Sequence, residues 1–156
     1  MKGEGGEQPV RVRIKEMRRE DFGVVHELRD AVYTGVSSEF HDAELAIILE
    51  APDRECWVVY DRERAVGFVE ATLRNAVDGC LTSPVGFIEG IYVRPEFRGR
   101  GLGARLVGVA TEWSKQAGCT EMATDAEIEN TDAQSFHKRM GFVETYRIVE
   151  FKKTIE

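Results

Sequence analysis

The sequence predicts an α/β domain built on a central mixed, mostly antiparallel sheet, and three observations carry the prediction. Apolar residues fall by turns into the period of two that suits a half-buried strand and the period near 3.6 that suits a helix covering it. The patterns come in the order β, α, α, then antiparallel strands, then β-α-β-α-β. No linker, repeat or low-complexity stretch interrupts the chain from Val10 onward, so the 156 residues suit one domain around one core. Residues 1–9, polar and rich in Gly and Glu, read as a disordered tail, and residues 10–156 as the domain.

Val10, Val12 and Ile14 alternate with Arg11, Arg13 and Lys15, so the run from Val10 to Met17 predicts a half-buried first strand. Phe22, Val25, Leu28 and Val32 share one helical face between Asp21 and Tyr33, and Gly35 ends that run. Leu45, Ile48 and Leu49 carry a second helix over Asp42 to Glu50, closed by Pro52. Cys56 to Tyr60 and Ala65 to Leu73 are apolar, β-branched runs separated by Asp61-Arg62-Glu63-Arg64, the pattern of an antiparallel hairpin. A loop over Asn75 to Pro84 leads into the strand-like run Val85 to Val93. Leu102 to Lys115 predicts a helix with Leu106, Val109, Ala110 and Trp113 inward and Gly118 beyond its end. Cys119 to Thr124 reads as a short strand, Asn130 to Met140 as a helix capped by a left-handed Gly141, and Phe142 to Phe151 as a last strand.

A net charge of −7 argues against nucleic acid as a partner, because a phosphate backbone requires a basic face, and it suits a small cationic molecule. The three cysteines, Cys56, Cys80 and Cys119, lack CxxC spacing, and His26, His41 and His137 are too scattered to propose a metal site. Free thiols in a reducing cytoplasm are expected. Neither a signal peptide nor an apolar run long enough to cross a bilayer is visible, so no membrane enters the reading.

The segment Arg98-Gly99-Arg100-Gly101-Leu102-Gly103-Ala104 lies between a predicted strand and a predicted helix. Its three glycines let the backbone curl tightly against a ligand. The helix that follows offers unpaired amides and a positive dipole end to an anion. Arg94, Arg98, Arg100 and Arg105 add four cations to an otherwise acidic chain. These features predict a pyrophosphate-binding turn, the plainer alternative being a flexible surface turn.

That turn, with its flanks Glu89-Gly90-Ile91-Tyr92-Val93-Arg94-Pro95 and Asn130 to Phe142, resembles the GNAT superfamily of acetyl-CoA-dependent N-acetyltransferases, whose pyrophosphate loop reads Arg/Gln-x-x-Gly-x-Gly/Ala. A narrower resemblance is to bacterial aminoglycoside 6'-N-acetyltransferases. It rests on Asp78-Gly79-Cys80, Ser83-Pro84-Val85, Phe87-Ile88-Glu89-Gly90-Ile91, Trp113, Gly118 to Ala123, Asp125 and Glu129-Asn130-Thr131. The resemblance implies a single-domain GNAT fold, in which a splayed strand pair in a twisted sheet with flanking helices opens a cleft for acetyl-CoA. It implies that Ile91, Tyr92 and Val93 present backbone groups to the pantetheine and acetyl carbonyl. Arg98, Gly99, Arg100, Gly101, Leu102, Gly103 and Ala104 would hold the pyrophosphate, and Asn130 the CoA arm. His137 stands where many members have a Tyr, and would serve as acid or contact the cofactor sulfur.

An amine near neutral pH is mostly ammonium and must lose a proton before it attacks a thioester, so the site needs a carboxylate. Glu89 and Asp125 are the candidates, in or after strands flanking the expected cleft. Glu89 would take the reacting proton and Asp125 would bind a second ammonium. The simpler alternatives are an outward polar residue for Glu89 and a turn cap for Asp125; Ile88 and Ile91, however, do not alternate cleanly around Glu89. A backbone N–H between Ile91 and Val93 would stabilise the oxyanion.

The acceptor side departs from the aminoglycoside enzymes at Tyr33, Val36, Ala76 and Tyr146, where those enzymes have Trp, His, Tyr and Glu. Tyr33, Asp78 and Tyr146 still make candidates for an amine pocket. Competing readings are acetylation of a polyamine or basic peptide, a CoA-binding protein without catalysis, and a dinucleotide-binding oxidoreductase. The last is disfavoured because Arg94 to Arg98 separate the glycine motif from its strand and too little chain remains for further βαβ units. Phe142 to Lys153 is too short for the two long strands that usually finish the fold, which predicts a homodimer.

Overall fold

In the computed structural model, which describes residues 11–156, five strands pair in chain order into one sheet. The expected tail and the Val10 start of the first strand lie outside the described residues. The strands are β1 (Val12–Glu16), β2 (Arg54–Asp61), β3 (Arg64–Arg74), β4 (Val85–Val93) and β5 (Met122–Thr124). The first three pairings are antiparallel and β4 to β5 is parallel, as a mixed, mostly antiparallel sheet requires. Four α-helices flank it: α1 (Phe22–Asp30), α2 (Ser38–Glu50), α3 (Leu102–Gln116) and α4 (Thr131–Arg139). Helix α2 starts earlier than its apolar pattern predicts, because the Ser37 hydroxyl accepts from the Phe40 amide at 3.2 Å and caps it there.

Adjacent residues of β2 point to opposite faces, which is why it reads as an unbroken apolar run. Trp57 and Val59, with Val69, Ala71 and Ile88, pack under Leu102, Leu106 and Ala110 of α3. Cys56 and Val58, with Phe68, pack under Val25 and Leu28 of α1 and Leu45 and Ile48 of α2.

Strand β4 has two irregularities that make the site. Gly90 pairs with Glu70 while Ile88 pairs with Ala71, so Glu89 has no residue opposite and forms a β-bulge. The pairing of β4 with β5 covers only Gly86 to Ile88, and β4 then runs on to Val93 alone on that edge. Thr124 Oγ1, donating to the Ile88 carbonyl at 3.0 Å, is the last tie before the strands part.

Two expectations need correction. The fifth strand is Met122–Thr124 alone, since Cys119 is buried in the turn that follows α3 and its amide donates to the Ser114 carbonyl. The last strand predicted over Phe142 to Phe151 does not form: residues 142–156 carry no regular secondary structure. The alternating pattern is present, but no neighbouring strand supplies the ladder that a strand needs, and Phe151 is 92% exposed.

Candidate active site

The glycine turn lies where β4 hands over to α3, after a 3-10 turn at Pro95–Phe97. Gly99 and Gly101 have φ of +76° and +77°, which would cost a residue with a Cβ roughly 1–2 kcal/mol. A Cβ on either would meet nothing within 4 Å, so the turn borders open space. Gly101 is the N-cap of α3 and brings no side-chain cap, leaving the helix's first amides to an anion. This cradle fits a pyrophosphate. Gly103 also serves packing: a Cβ there would stand 2.8 Å from the Phe136 ring of α4. The Leu102 side chain is buried in the core.

The four cations expected around the turn divide. Arg94 donates to the Ala65 carbonyl at 2.9 Å and to Glu27 at 3.0 Å, so it braces β3 and α1. Arg98 Nε donates to the Val93 carbonyl at 2.8 Å, which straps the turn to the end of β4 and occupies one of that carbonyl's two lone pairs. Arg100 lies 5.6 Å from the Phe97 ring centroid, and Arg105 is exposed in the first turns of α3.

Beyond the split, Ile91, Tyr92 and Val93 continue β4 with no β5 residue opposite, and Glu89 stands at the start of that stretch. Ile88 and Ile91 sit three apart yet both pack on the α3 side, and the bulge between them turns Glu89 toward the other face. There its carboxylate accepts from Thr72 Oγ1 at 2.6 Å and from the Arg74 guanidinium at 2.9 to 3.1 Å. Asp125 follows β5 directly, across the opening. Desolvation first, and then the Glu89 charge, push its carboxyl above the ordinary aspartate range against the pull of Arg74. The two carboxylates predicted from the sequence are therefore within electrostatic reach of each other.

Tyr33 reaches the same region from the turn after α1. Its hydroxyl donates to Glu70 Oε2 at 3.2 Å and stands 2.2 Å from where a Cβ on Gly90 would be, so only glycine fits at that point of the bulge. Burial and Glu70 hold the phenol well above its usual range, so it is a proton donor and no base. Thr145 packs against Gly79, 2.7 Å from where its Cβ would stand, which brings the backbone beside Asp78 and Tyr146 into one neighbourhood. Asn130 Oδ1 caps α4 by accepting from the Ala133 amide at 3.1 Å. His137 lies between Phe136 and Phe142 with its Nδ1 buried and unpartnered, and burial lowers its pKa against the opposing pull of Asp125.

Sequence reasoning missed Thr72 and Arg74, which hold Glu89, and a buried polar network beneath Tyr33. In that network Arg29 pairs with both Glu70 and Glu44, and its Nε donates to His41 Nδ1 at 3.0 Å. It also corrects the reading of scattered histidines: His26 and His41 meet at 4.9 Å between ring centroids, beside Asp30. Because His41 Nδ1 accepts from Arg29, the neutral ring carries its proton on Nε2, the atom facing Asp30 at 3.1 Å. That nitrogen has no lone pair for a metal, and the cluster does not fit one. Among the described residues all three cysteines are free thiols, and no helix is long and apolar enough to cross a membrane.

A sheet whose parallel pair splits at a bulge, with an anion-binding turn at its mouth and carboxylates across the opening, defines a transferase cleft for a phosphate-bearing cosubstrate. The chain belongs to the acetyltransferase (GNAT) family, whose profile matches residues 13–142. It is 42% identical over 130 residues to the aminoglycoside N(6')-acetyltransferase type 1 of Serratia marcescens, covering 82% of this chain and 89% of that protein. To the protein of that name from Salmonella typhimurium it is 36% identical over 141 residues, 90% of this chain and 97% of the relative. Among solved structures, AAC(6')-Iy in complex with CoA superposes with a TM-score of 0.90 at 34% identity, over 95% of this chain and 98% of that one. AAC(6')-Iy in complex with the bisubstrate analog CoA-S-monomethyl-acetylneamine gives 0.88 at 34% identity, over 92% and 99%.

Proposed function

We propose that this chain transfers the acetyl group of acetyl-CoA to the 6'-amino group of an aminoglycoside, with Glu89 accepting the proton of the attacking amine and Asp125 anchoring a second ammonium. The observation that carries the reading is the placement of Glu89 on a bulge at the point where β4 leaves β5. The relatives named above support the acceptor class. Acetyl-CoA supplies the activated thioester carbonyl; the chain supplies position and charge. The first amides of α3 with Gly99 and Gly101 hold the pyrophosphate, and the open edge of β4 over Ile91 and Tyr92 offers backbone groups to the pantetheine and acetyl oxygen. Glu89 holds the ammonium and takes its proton, which frees the nitrogen lone pair to form the amide bond as the C–S bond breaks. Asp125, Asp78 and Tyr146 orient the remaining cationic rings. His137, kept neutral by burial, suits contact with the cofactor sulfur better than proton donation to it.

Residues 10–156 form the one acetyltransferase domain in this reading, working in the cytoplasm, where acetyl-CoA is at hand and thiols stay reduced. The extended, exposed arm over residues 142–156 pairs with a second copy, so the working unit is a homodimer. One observation favours a broader acceptor range: the Tyr33 hydroxyl is tied to Glu70, and the Arg29 guanidinium lies 4.8 Å from its ring centroid, so one face of the ring is already taken.

The test is CoA release, followed with a thiol reagent, across kanamycin, tobramycin, spermidine and a basic peptide. Turnover with the 6'-amino aminoglycosides is expected, with Glu89→Gln lowering kcat about a hundredfold or more and Asp125→Asn acting mainly on the acceptor KM. Turnover confined to spermidine or the peptide would move the acceptor class.

A further inference from the structure

The Glu89 carboxylate is held asymmetrically. Its Oε1 accepts from Thr72 Oγ1 at 2.6 Å, from Arg74 Nε at 3.1 Å and from Arg74 Nη2 at 2.9 Å. Its Oε2 accepts, among the described residues, from Arg74 Nη2 alone, at 2.9 Å. A carboxylate oxygen has two lone-pair directions, so Oε1 is saturated and Oε2 keeps capacity for another donor. The holders are themselves fixed. Thr72 and Arg74 alternate onto one face of β3, and the Arg74 guanidinium lies 3.5 Å from the Phe87 ring centroid, stacked on β4. Arg74 is 41% exposed, and an ion pair so open to water contributes little to folding, which leaves orientation of Glu89 as its use.

We propose that Thr72 and Arg74 are positioning residues that saturate Oε1 of Glu89 and thereby assign the amine's proton to Oε2. The inference deepens the reading of Glu89 as proton acceptor and rests on it. Neither residue touches the reacting atoms. Their effect is to keep one oxygen, in one direction, aimed at the ammonium, where a small misplacement weighs heavily on rate.

Steady-state CoA release by Thr72→Val, Arg74→Met, Arg74→Ala and Glu89→Gln, each checked by thermal melt for an intact fold, tests this. Thr72→Val is expected to lower kcat several-fold and Arg74→Met about a hundredfold, with KM for acetyl-CoA unchanged. Added methylguanidinium should restore kcat to Arg74→Ala, where it can occupy the vacated space, and leave Glu89→Gln unmoved. If Glu89→Gln is inactive while Arg74→Met and Thr72→Val keep wild-type kcat, the positioning role falls and the role of Glu89 stands. A lower amine KM at unchanged kcat in Arg74→Met would likewise overturn it, since the guanidinium would then be a competitor of the substrate cation. Full activity in Glu89→Gln would remove both.

Discussion

A carboxylate buried within an apolar strand needs a partner, and Glu70 shares one. Arg29 faces both Glu70 and Glu44, so one guanidinium serves two acids. Burial first, and then the charge of Glu44, push the Glu70 carboxyl from 4.5 up to about 7 against the pull of Arg29. A carboxyl that binds its proton more tightly in the folded state stabilises the fold most below its unfolded pKa, and that contribution is lost as pH rises through the folded value. The melting temperature of the wild type should therefore fall by several degrees relative to Glu70→Gln between pH 4.5 and 7.5, measured by circular dichroism at constant ionic strength. Parallel curves for the two proteins would show that folding does not raise the Glu70 carboxyl. The ingredients of this pair were visible in the sequence, since Glu70 is the lone charge in the run Ala65 to Leu73 and Arg29 lies one helical turn from Val25. Their pairing was not, because a separation of 41 positions is closed only by the fold. Glu89 was legible for the opposite reason: the break in alternation between Ile88 and Ile91 is local. Thr72 and Arg74 became its holders through a register that only the bulge sets.

At the scale of elements, the two glycines inside α3 show how one residue type serves different ends. Gly108 is exposed, and a Cβ there would meet nothing within 4 Å, so Gly108→Ala should raise stability by about 1 kcal/mol through helix propensity alone. A Cβ on Gly103 would stand 2.8 Å from the Phe136 ring, so Gly103→Ala makes that ring shift and disturbs the seat of α4 on α3. It should lower the melting temperature despite the same gain in propensity, and should weaken acetyl-CoA binding, read as a smaller rise in melting temperature on adding CoA. Equal effects of the two substitutions would mean that the α3 to α4 contact does not shape the turn. Periodicity revealed these helices because an amphipathic face is written locally. It overextended the first helix, whose last apolar residues Val32 and Tyr33 belong to a turn with both amides on the Arg29 carbonyl. The motif also overcounted the turn's cations: the residue types announce charge, whereas the carbonyls of Ala65 and Val93 decide where Arg94 and Arg98 point.

For the whole molecule, the segment after α4 is where chain and fold disagree most. Val149 and Phe151 alternate with Glu150 and Lys152, the pattern of a strand with one buried face, yet Val143 is 84%, Val149 78% and Phe151 92% exposed. An apolar stripe of that kind is stable in water only when something covers it. The sheet leaves β5 as a short edge strand with its outer side unpaired among the described residues, so a second copy, by supplying a strand to that edge and receiving one, would satisfy both. The arm also lies against the loop before β4 and near Asp125, because Thr145 packs on Gly79 and Asp125 feels the charge of Glu150. In the proposed dimer the arm would link pairing to acceptor binding. Placing charge on the stripe with Val149→Glu and Phe151→Glu should yield a monomer by light scattering at concentrations where the wild type is a dimer. The same variant should raise KM for the aminoglycoside and leave KM for acetyl-CoA unchanged. A monomeric wild type would remove the dimer, and a dimer unaffected by the two charges would place its interface elsewhere on the molecule.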